Sequence, residues 1–241
     1  IDQNPSYIFR CSMVEKFQVD SMLDWGVKKF KKIALLHGTG GYGMFAAGEI
    51  QKGMKARGME LVAVESAAPN VTDMTPQVLN LKNSGAELVL MFHDSLELLY
   101  RAMPKANFKP VVAGNWGLSS QMVLNIVGQE ALEGTVMGQA LDLGDAKAAA
   151  FNAKMSKEFG DKYRWPVVAA LGYDGMRILL QAVDRAGGDP AKIQKALETT
   201  TGFKAVSGTP EKPFGPKDHE CLDAENVFLG VWKGGRVVKL R

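Results

Sequence analysis

Three glycines in one turn form the most recognisable chemical pattern of the sequence. Gly38, Gly40 and Gly43 match the Gly-x-Gly-x-x-Gly arrangement of dinucleotide-binding turns. Glu65 ends the following predicted strand, where an acid would bind a ribose hydroxyl. This pattern favours one alternative function, an NAD(P)-dependent oxidoreductase that uses the Gly38–Gly43 turn. The motif alone is weak, however, and a glycine-rich turn without a nucleotide is the simpler interpretation.

Aromatic and polar side chains follow three of the predicted strands. Tyr42 lies in the glycine turn, Phe92 and His93 end the third strand, and Trp116 follows the fourth. The carboxyl ends of parallel strands meet at one edge of a sheet, where open α/β sheets bind their ligands. An aromatic ring offers a ligand its face, and a tyrosine adds a hydroxyl. We therefore predict a ligand-binding rim formed by Tyr42, Phe92, His93 and Trp116.

The other reactive residue types do not form a recognisable catalytic or metal site. The three histidines share no metal-ligand spacing, and the two cysteines form no Cys-x-x-Cys pair. Ser119 and Ser120 lack the surroundings of a nucleophile elbow. Asp218, His219 and Glu220 are expected to form a solvated turn. The sequence therefore predicts no catalytic residue, no metal and no cofactor.

Cys11 and Cys221 leave two possibilities open. Both are predicted to lie in exposed loops, which permits a disulfide between them, but two unrelated buried thiols are also possible. Their wide separation in the sequence does not distinguish these two cases.

The elements that position these residues alternate along the first part of the chain. Residues 1–140 alternate strands, such as Ile33–Leu36, with helices, such as Phe45–Arg57. Residues 141–201 are predicted to be helical, and 202–241 to be loop followed by a β-hairpin. This order predicts an α/β fold with a doubly wound parallel sheet.

The composition of the chain argues against nucleic-acid binding and against a membrane-spanning segment. The chain has 241 residues, 46% hydrophobic residues and a net charge of +3, with no basic stripe, so we expect no nucleic-acid partner. No apolar run approaches the ~20 residues that span a bilayer. The sequence begins at Ile1 without methionine or signal peptide, from which we expect a processed, trimmed or partial chain.

Several short motifs, in their order and spacing, resemble one known family. The chain is similar to the solute-binding proteins of branched-chain amino-acid-type ABC transporters, also described as type I periplasmic binding proteins or extracellular ligand-binding receptors. The matching motifs are Phe9-Arg10, Lys32–Leu36 followed by Tyr42-Gly43, Thr72-Asp73-Met74, Leu81-Lys82, Gly85-Ala86, Glu133-Gly134, Tyr173-Asp174-Gly175 and Asp218-His219.

The resemblance implies a non-enzymatic clamshell of two α/β lobes that closes on a small solute by hinge motion. The solute would be an amino acid, an amide or an aromatic carboxylate, delivered to the membrane permease of an ABC importer. The implied location is periplasmic or extracytoplasmic. A ligand-sensing domain of a receptor is a further alternative. The implied domains are 1–134 as lobe 2, 135–206 as a crossover strand and helices of lobe 1, and 207–241 as the return to lobe 2.

The chain departs from the family pattern in two respects. Trp116 replaces the acidic residue that commonly meets the ligand's amino group, which favours a flatter or aromatic ligand. The N-terminal part of the first lobe has no counterpart in the sequence. The helices of 145–200 would therefore be covered by a missing chain segment or by a second chain, because their apolar residues need a partner surface.

Overall fold

The computed structural model describes residues 7–241, which form two compact units. The sheet unit contains Glu15–Gly138 and Phe228–Arg241, and the helical unit contains the segment up to Val14 together with Gln139–Val227. The segments predicted from the sequence change after residues 134 and 206, whereas the compact units change after Val14, Gly138 and Val227. Residues 1–6 of the first predicted segment lie outside the described residues. The assignment of the segments to lobes stays a prediction.

A seven-stranded sheet, counted over the described residues, organises the sheet unit. Its spatial order is β2-β1-β3-β4-β5-β6-β7, and β1 to β5 pair in parallel while β6 and β7 are antiparallel. The predicted doubly wound parallel sheet is therefore confirmed. The strands are β1 (Ile33–Gly38), β2 (Ala63–Ala67), β3 (Leu88–Phe92), β4 (Val111–Gly114), β5 (Val136–Gln139), β6 (Phe228–Lys233) and β7 (Arg236–Lys239).

Helices connect the parallel strands of this unit. The helix after β1 begins at Gly41, four residues before the predicted start at Phe45, because the last glycines of the turn already have helical geometry. The helices are α1 (Glu15–Lys29), α2 (Gly41–Ala56), α3 (Thr75–Asn83), α4 (Leu96–Lys105), α5 (Gln121–Val127) and α6 (Gln129–Leu132).

The central strands are buried on both faces. Ile33 and Leu35 of β1 pack into one apolar layer, while Leu36 packs into the layer on the opposite face. Successive side chains of a strand point to opposite faces, so a continuous apolar run is what a doubly covered strand requires. The edge strand β2 differs, because Val64 is exposed.

A tight hairpin closes the sheet at its far edge. Gly234 and Gly235 have φ values of 59° and 75°, the left-handed region that a two-residue hairpin turn demands at both positions. Trp232 of β6 is buried, and its Nε1 donates a hydrogen bond of 2.7 Å to the carbonyl oxygen of Leu118. The predicted β-hairpin is confirmed.

The helical unit is built mainly from α7 (Ala146–Phe159), α8 (Pro166–Ala186) and α9 (Pro190–Glu198). The strand predicted over 7–10 is reduced to Arg10, which forms an isolated parallel bridge with Glu220. Among the described residues, none of the helices is both long enough and apolar enough to cross a membrane.

Candidate functional site

The candidate site lies at the carboxyl edge of three adjacent strands. β1 lies between β2 and β3, and β4 follows β3, so the segments after β1, β3 and β4 emerge side by side. These segments carry Tyr42, His93 and Trp116. The topology therefore brings the predicted positions to one edge of the sheet unit, and the side-chain contacts decide which of them offers a surface.

Tyr42 is held by hydrogen bonds on both sides of its hydroxyl. The hydroxyl donates to Oε1 of Glu15 at 2.6 Å and accepts from Nδ2 of Asn115 at 2.7 Å. Burial, together with the negative charge of Glu15, raises the pKa of Tyr42 well above its usual value of about 10. The phenol is therefore a fixed, protonated donor, and 36% of the residue stays exposed.

Trp116 is fixed through its backbone and its neighbour. Its N–H donates to Oε1 of the fully buried Gln18 at 3.2 Å. Asn115 caps the following 3-10 turn, because its Oδ1 accepts from the N–H of Gly117 at 2.7 Å. The indole ring is half-buried in this arrangement. Asn115 thus links the hydroxyl of Tyr42 to the turn that carries Trp116.

Phe92 and His93 are buried in this structure. Phe92 is fully buried in the apolar layer that contains Ile33 and Leu35, which favours a packing role. His93 is 2% exposed; its Nδ1 accepts from the N–H of Ser95, so its Nε2 donates to the carbonyl of Ala68. Neither side chain offers a ligand surface here. Their predicted ligand contacts stay predictions that this conformation does not support.

Two residues of α1, Glu15 and Gln18, support the site and were not predicted from the sequence. Glu15 is 27 residues from Tyr42, and Gln18 is 98 residues from Trp116. No local pattern marks such distant contacts. Asn115, in contrast, carried a readable signal, because asparagine before a short turn is a common cap.

Close packing accounts for the glycine turn without a nucleotide. A Cβ at Gly43 would lie 2.3 Å from the carbonyl oxygen of Gly38, so α2 approaches β1 too closely for any side chain there. The ring of His93 packs against Gly38, where a Cβ would lie 3.3 Å from its Cδ2. Glu65 is half-exposed on the edge strand β2.

Two expectations about loops are corrected by the structure. Cys221 is buried and Cys11 is half-buried, so they do not lie in exposed loops, and both are free thiols here. His219 is also buried rather than part of a solvated turn, because it bonds to the carbonyl of Ile8 and to Glu198. Within residues 7–241, no group of three or more His, Cys, Asp or Glu side chains could hold a metal ion.

The chain matches the model of a known protein family over nearly its whole length. The family described as "Periplasmic binding protein" matches residues 2–236. The chain belongs to this family. The family that the motifs predicted is thus confirmed, and the chain is a periplasmic binding protein.

Relatives and solved structures agree with that membership. The chain is 29% identical over 241 residues to Leu/Ile/Val-binding protein homolog 3 of Brucella melitensis, covering 97% of this chain and 63% of the relative. A periplasmic binding protein type 1 from Bordetella pertussis superposes with a TM-score of 0.82 at 21% identity, covering 99% of this chain and 70% of the other. A leucine binding protein LivK from Thermotoga maritima gives a TM-score of 0.73 at 18% identity, covering 97% and 67%. The type I periplasmic binding protein fold is therefore confirmed, and the chain spans 63% of the length of its Brucella relative.

Proposed function

We propose that this periplasmic binding protein binds a small organic solute without transforming it. The observation that carries the proposal is the Tyr42–Asn115–Trp116 arrangement at the carboxyl edge of the sheet. A phenol hydroxyl fixed by two hydrogen bonds, and the half-buried Trp116, whose backbone N–H is bonded to Gln18, form a preorganised surface for a small ligand. Family membership supports binding rather than catalysis.

The proposed solute is an amino acid, an amide or an aromatic carboxylate, and we favour the flat, aromatic members of this set. Trp116 offers an extended ring face for offset stacking, while the Tyr42 hydroxyl supplies a polar contact beside it. Branched-chain amino acids remain in the set because the Brucella relative is named as a Leu/Ile/Val-binding protein homologue.

In the proposed function the bound solute is delivered to a transporter. The solute is carried in the periplasm, or in another extracytoplasmic space, to the membrane permease of an ABC importer. Two lobes close on the solute by hinge motion, as the family resemblance implies. The partners are therefore the solute and a permease, and neither nucleic acid nor a cofactor is part of the proposal.

An exposed apolar face on the helical unit supports a further contact within the same protein. Val168, Met176 and Leu180 of α8 are exposed, although Ala170 and Ile178 of the same helix are fully buried. The Brucella relative is longer than this chain. We therefore propose that this face of α8 packs against a further segment of the polypeptide, and we keep a second chain as the alternative.

A ligand panel tests the proposed function. The chain, and the longest form of the protein that can be expressed, are titrated by calorimetry with leucine, valine, phenylalanine, small amides, aromatic carboxylates and NAD(P). We expect an aromatic member to bind with the lowest Kd. A response to leucine or valine alone would overturn the aromatic preference, and tight binding of NAD(P) alone would overturn solute binding.

A further inference from the structure

Cys11 and Cys221 lie opposite each other in two paired segments of the helical unit. Arg10 forms a parallel bridge with Glu220: its N–H donates to the carbonyl of His219, and its carbonyl accepts from the N–H of Cys221, both at 2.9 Å. The next pair in this register is Cys11 with Cys221. Paired backbones lie ~4.8 Å apart, within the 4.4–6.8 Å that separates the Cα atoms of disulfide-bonded cysteines.

Side-chain contacts of the neighbouring pairs agree with this register. The guanidinium of Arg10 forms two hydrogen bonds with the carboxylate of Glu220, at 2.5 and 2.7 Å. On the other face, the rings of Phe9 and His219 stack with a centroid distance of 3.7 Å. Because side chains alternate between faces, both cysteines point to the same face as this stacked pair.

The two thiols lie close enough to perturb each other's ionisation. Their side-chain interaction raises the pKa of Cys11 and lowers that of Cys221. The thiol of Cys221 donates a hydrogen bond of 3.5 Å to the hydroxyl oxygen of Thr209. Gly175 of α8 packs so closely that a Cβ there would lie 3.2 Å from the sulfur of Cys11. The pair is therefore confined together by its surroundings.

We propose that Cys11 and Cys221 are a redox-active pair that closes to a disulfide and staples the N-terminal segment of the helical unit to the segment around 221. The proposal stands on the backbone register that pairs the two cysteines on one face, and it does not depend on the identity of the solute. Of the two possibilities that the sequence left open, a disulfide or two unrelated buried thiols, it favours the disulfide.

Cys11 is the entry point for the oxidant. It is half-buried and lines an apolar cavity of about 440 Å³ together with Phe9, Leu179 and Phe214, whereas Cys221 is 2% exposed. A small-molecule or protein disulfide is the oxidant. The sulfur of Cys11 attacks it, the proton of Cys11 passes to the departing oxidant sulfur, which leaves as a thiol, and a mixed disulfide forms on Cys11.

Cys221 then resolves the mixed disulfide. Its thiolate attacks the sulfur of Cys11, the Cys11–Cys221 bond forms, and the second oxidant thiol leaves. The cysteine pair has lost two electrons and two protons, and the oxidant disulfide has been reduced to two thiols. The hydrogen bonds that favour the Cys221 thiolate favour this second step.

Thiol counting and mass spectrometry test the proposal on the intact chain. The protein is incubated with oxidised glutathione, unfolded in denaturant and titrated for free thiols, with a fully reduced sample beside it. We expect two free thiols after reduction and none after oxidation, with the loss of two hydrogen atoms and no glutathione adduct. A non-reducing digest should contain one peptide pair joined through Cys11 and Cys221.

Stability gives a second readout, because the cross-link would close a loop of about 210 residues and constrain the unfolded chain. The oxidised protein should melt at a Tm at least about 5 °C above that of the reduced protein. Cys11→Ser and Cys221→Ser should each abolish this difference, and Cys11→Ser serves if the buried Cys221→Ser fails to fold. Two free thiols after oxidation, or a stable glutathione adduct without the internal bond, would overturn the proposal.

Discussion

The hydroxyl of Tyr42 accepts a hydrogen bond of 2.7 Å from Nδ2 of Asn115, and this bond joins the first turn of α2 to the end of β4. The two residues are 73 positions apart in the sequence. Their contact joins the glycine turn to the turn that carries Trp116. A substitution that removes this bond should therefore affect solute binding at Tyr42 and Trp116.

Tyr42→Phe removes the hydroxyl and keeps the ring. It deletes the bonds to Asn115 and Glu15, which together are worth about 1–2 kcal/mol after allowance for the partial exposure of Tyr42. We expect a Tm lower by about 2–6 °C and a Kd for the solute raised about tenfold. Calorimetric titration and thermal unfolding measure both. Phe45→Leu, an exposed aromatic one turn later in α2, is the matched control and should change neither.

Trp116→Ala should separate binding from stability. The indole is half-buried, whereas the backbone N–H that bonds to Gln18 survives the substitution. We expect the Kd for the solute to rise about fivefold, since ring stacking on an aromatic is worth roughly 1 kcal/mol. The Tm should fall by only a few degrees, and Trp116→Phe should recover most of the affinity. Equal affinities for all three proteins would remove Trp116 from the site.

The sequence predicted those parts of the fold that local patterns specify. The apolar run of β1 predicted a doubly covered strand because every residue of Ile33–Leu36 had to be buried. The start of α2 was misplaced because glycines at 41 and 43 are typical of loops, whereas here they lie in the first turn of the helix.

The candidate site was only partly predictable. Topology placed the ends of β1, β3 and β4 at one edge, which needed only strand order. The sequence could not tell which way the last residues of β3 point, so Phe92 was predicted to face a ligand although its ring is in the core. The support from Gln18 depends on tertiary packing and has no local signal.

Gly43→Ala tests whether packing, rather than a nucleotide, explains the glycine turn. The added Cβ would meet the backbone of Gly38 at 2.3 Å, and backbone cannot rotate away. We expect a destabilisation of about 2–3 kcal/mol, seen as a Tm lower by about 5–10 °C. Gly41→Ala is the matched control: nothing lies within 4 Å of its Cβ, so its Tm should be unchanged or slightly higher. Equal effects of the two substitutions would contradict this explanation.

Glu87 should make stability depend on pH in the acid range. Its carboxylate accepts from the N–H groups of Lys31 and Lys32, which lowers its pKa below 4.5. A group with a lower pKa in the folded state stabilises that state above its unfolded pKa, and the contribution is lost as the pH falls through the folded pKa. Glu87→Gln should therefore melt below the wild type at pH 7, and the two Tm values should converge as the pH falls through the folded-state pKa of Glu87. Glu60→Gln, at an exposed glutamate of the same unit, is the matched control substitution.

The exposed apolar face of α8 should promote self-association of the chain. Met176 and Leu180 are each 55% exposed, on a helix whose opposite face is buried. In the chain by itself, a face of this kind favours self-association or dye binding, because it leaves apolar surface in water. Replacing both residues with serine should reduce light scattering and hydrophobic dye fluorescence while leaving the Tm within about 2 °C. In a longer form of the protein that covers this face, the same double substitution should instead lower the Tm, since it would then remove buried apolar contacts. An unchanged Tm in every longer form would argue against the covering segment, and would point to a second copy of the chain if association fell at the same time.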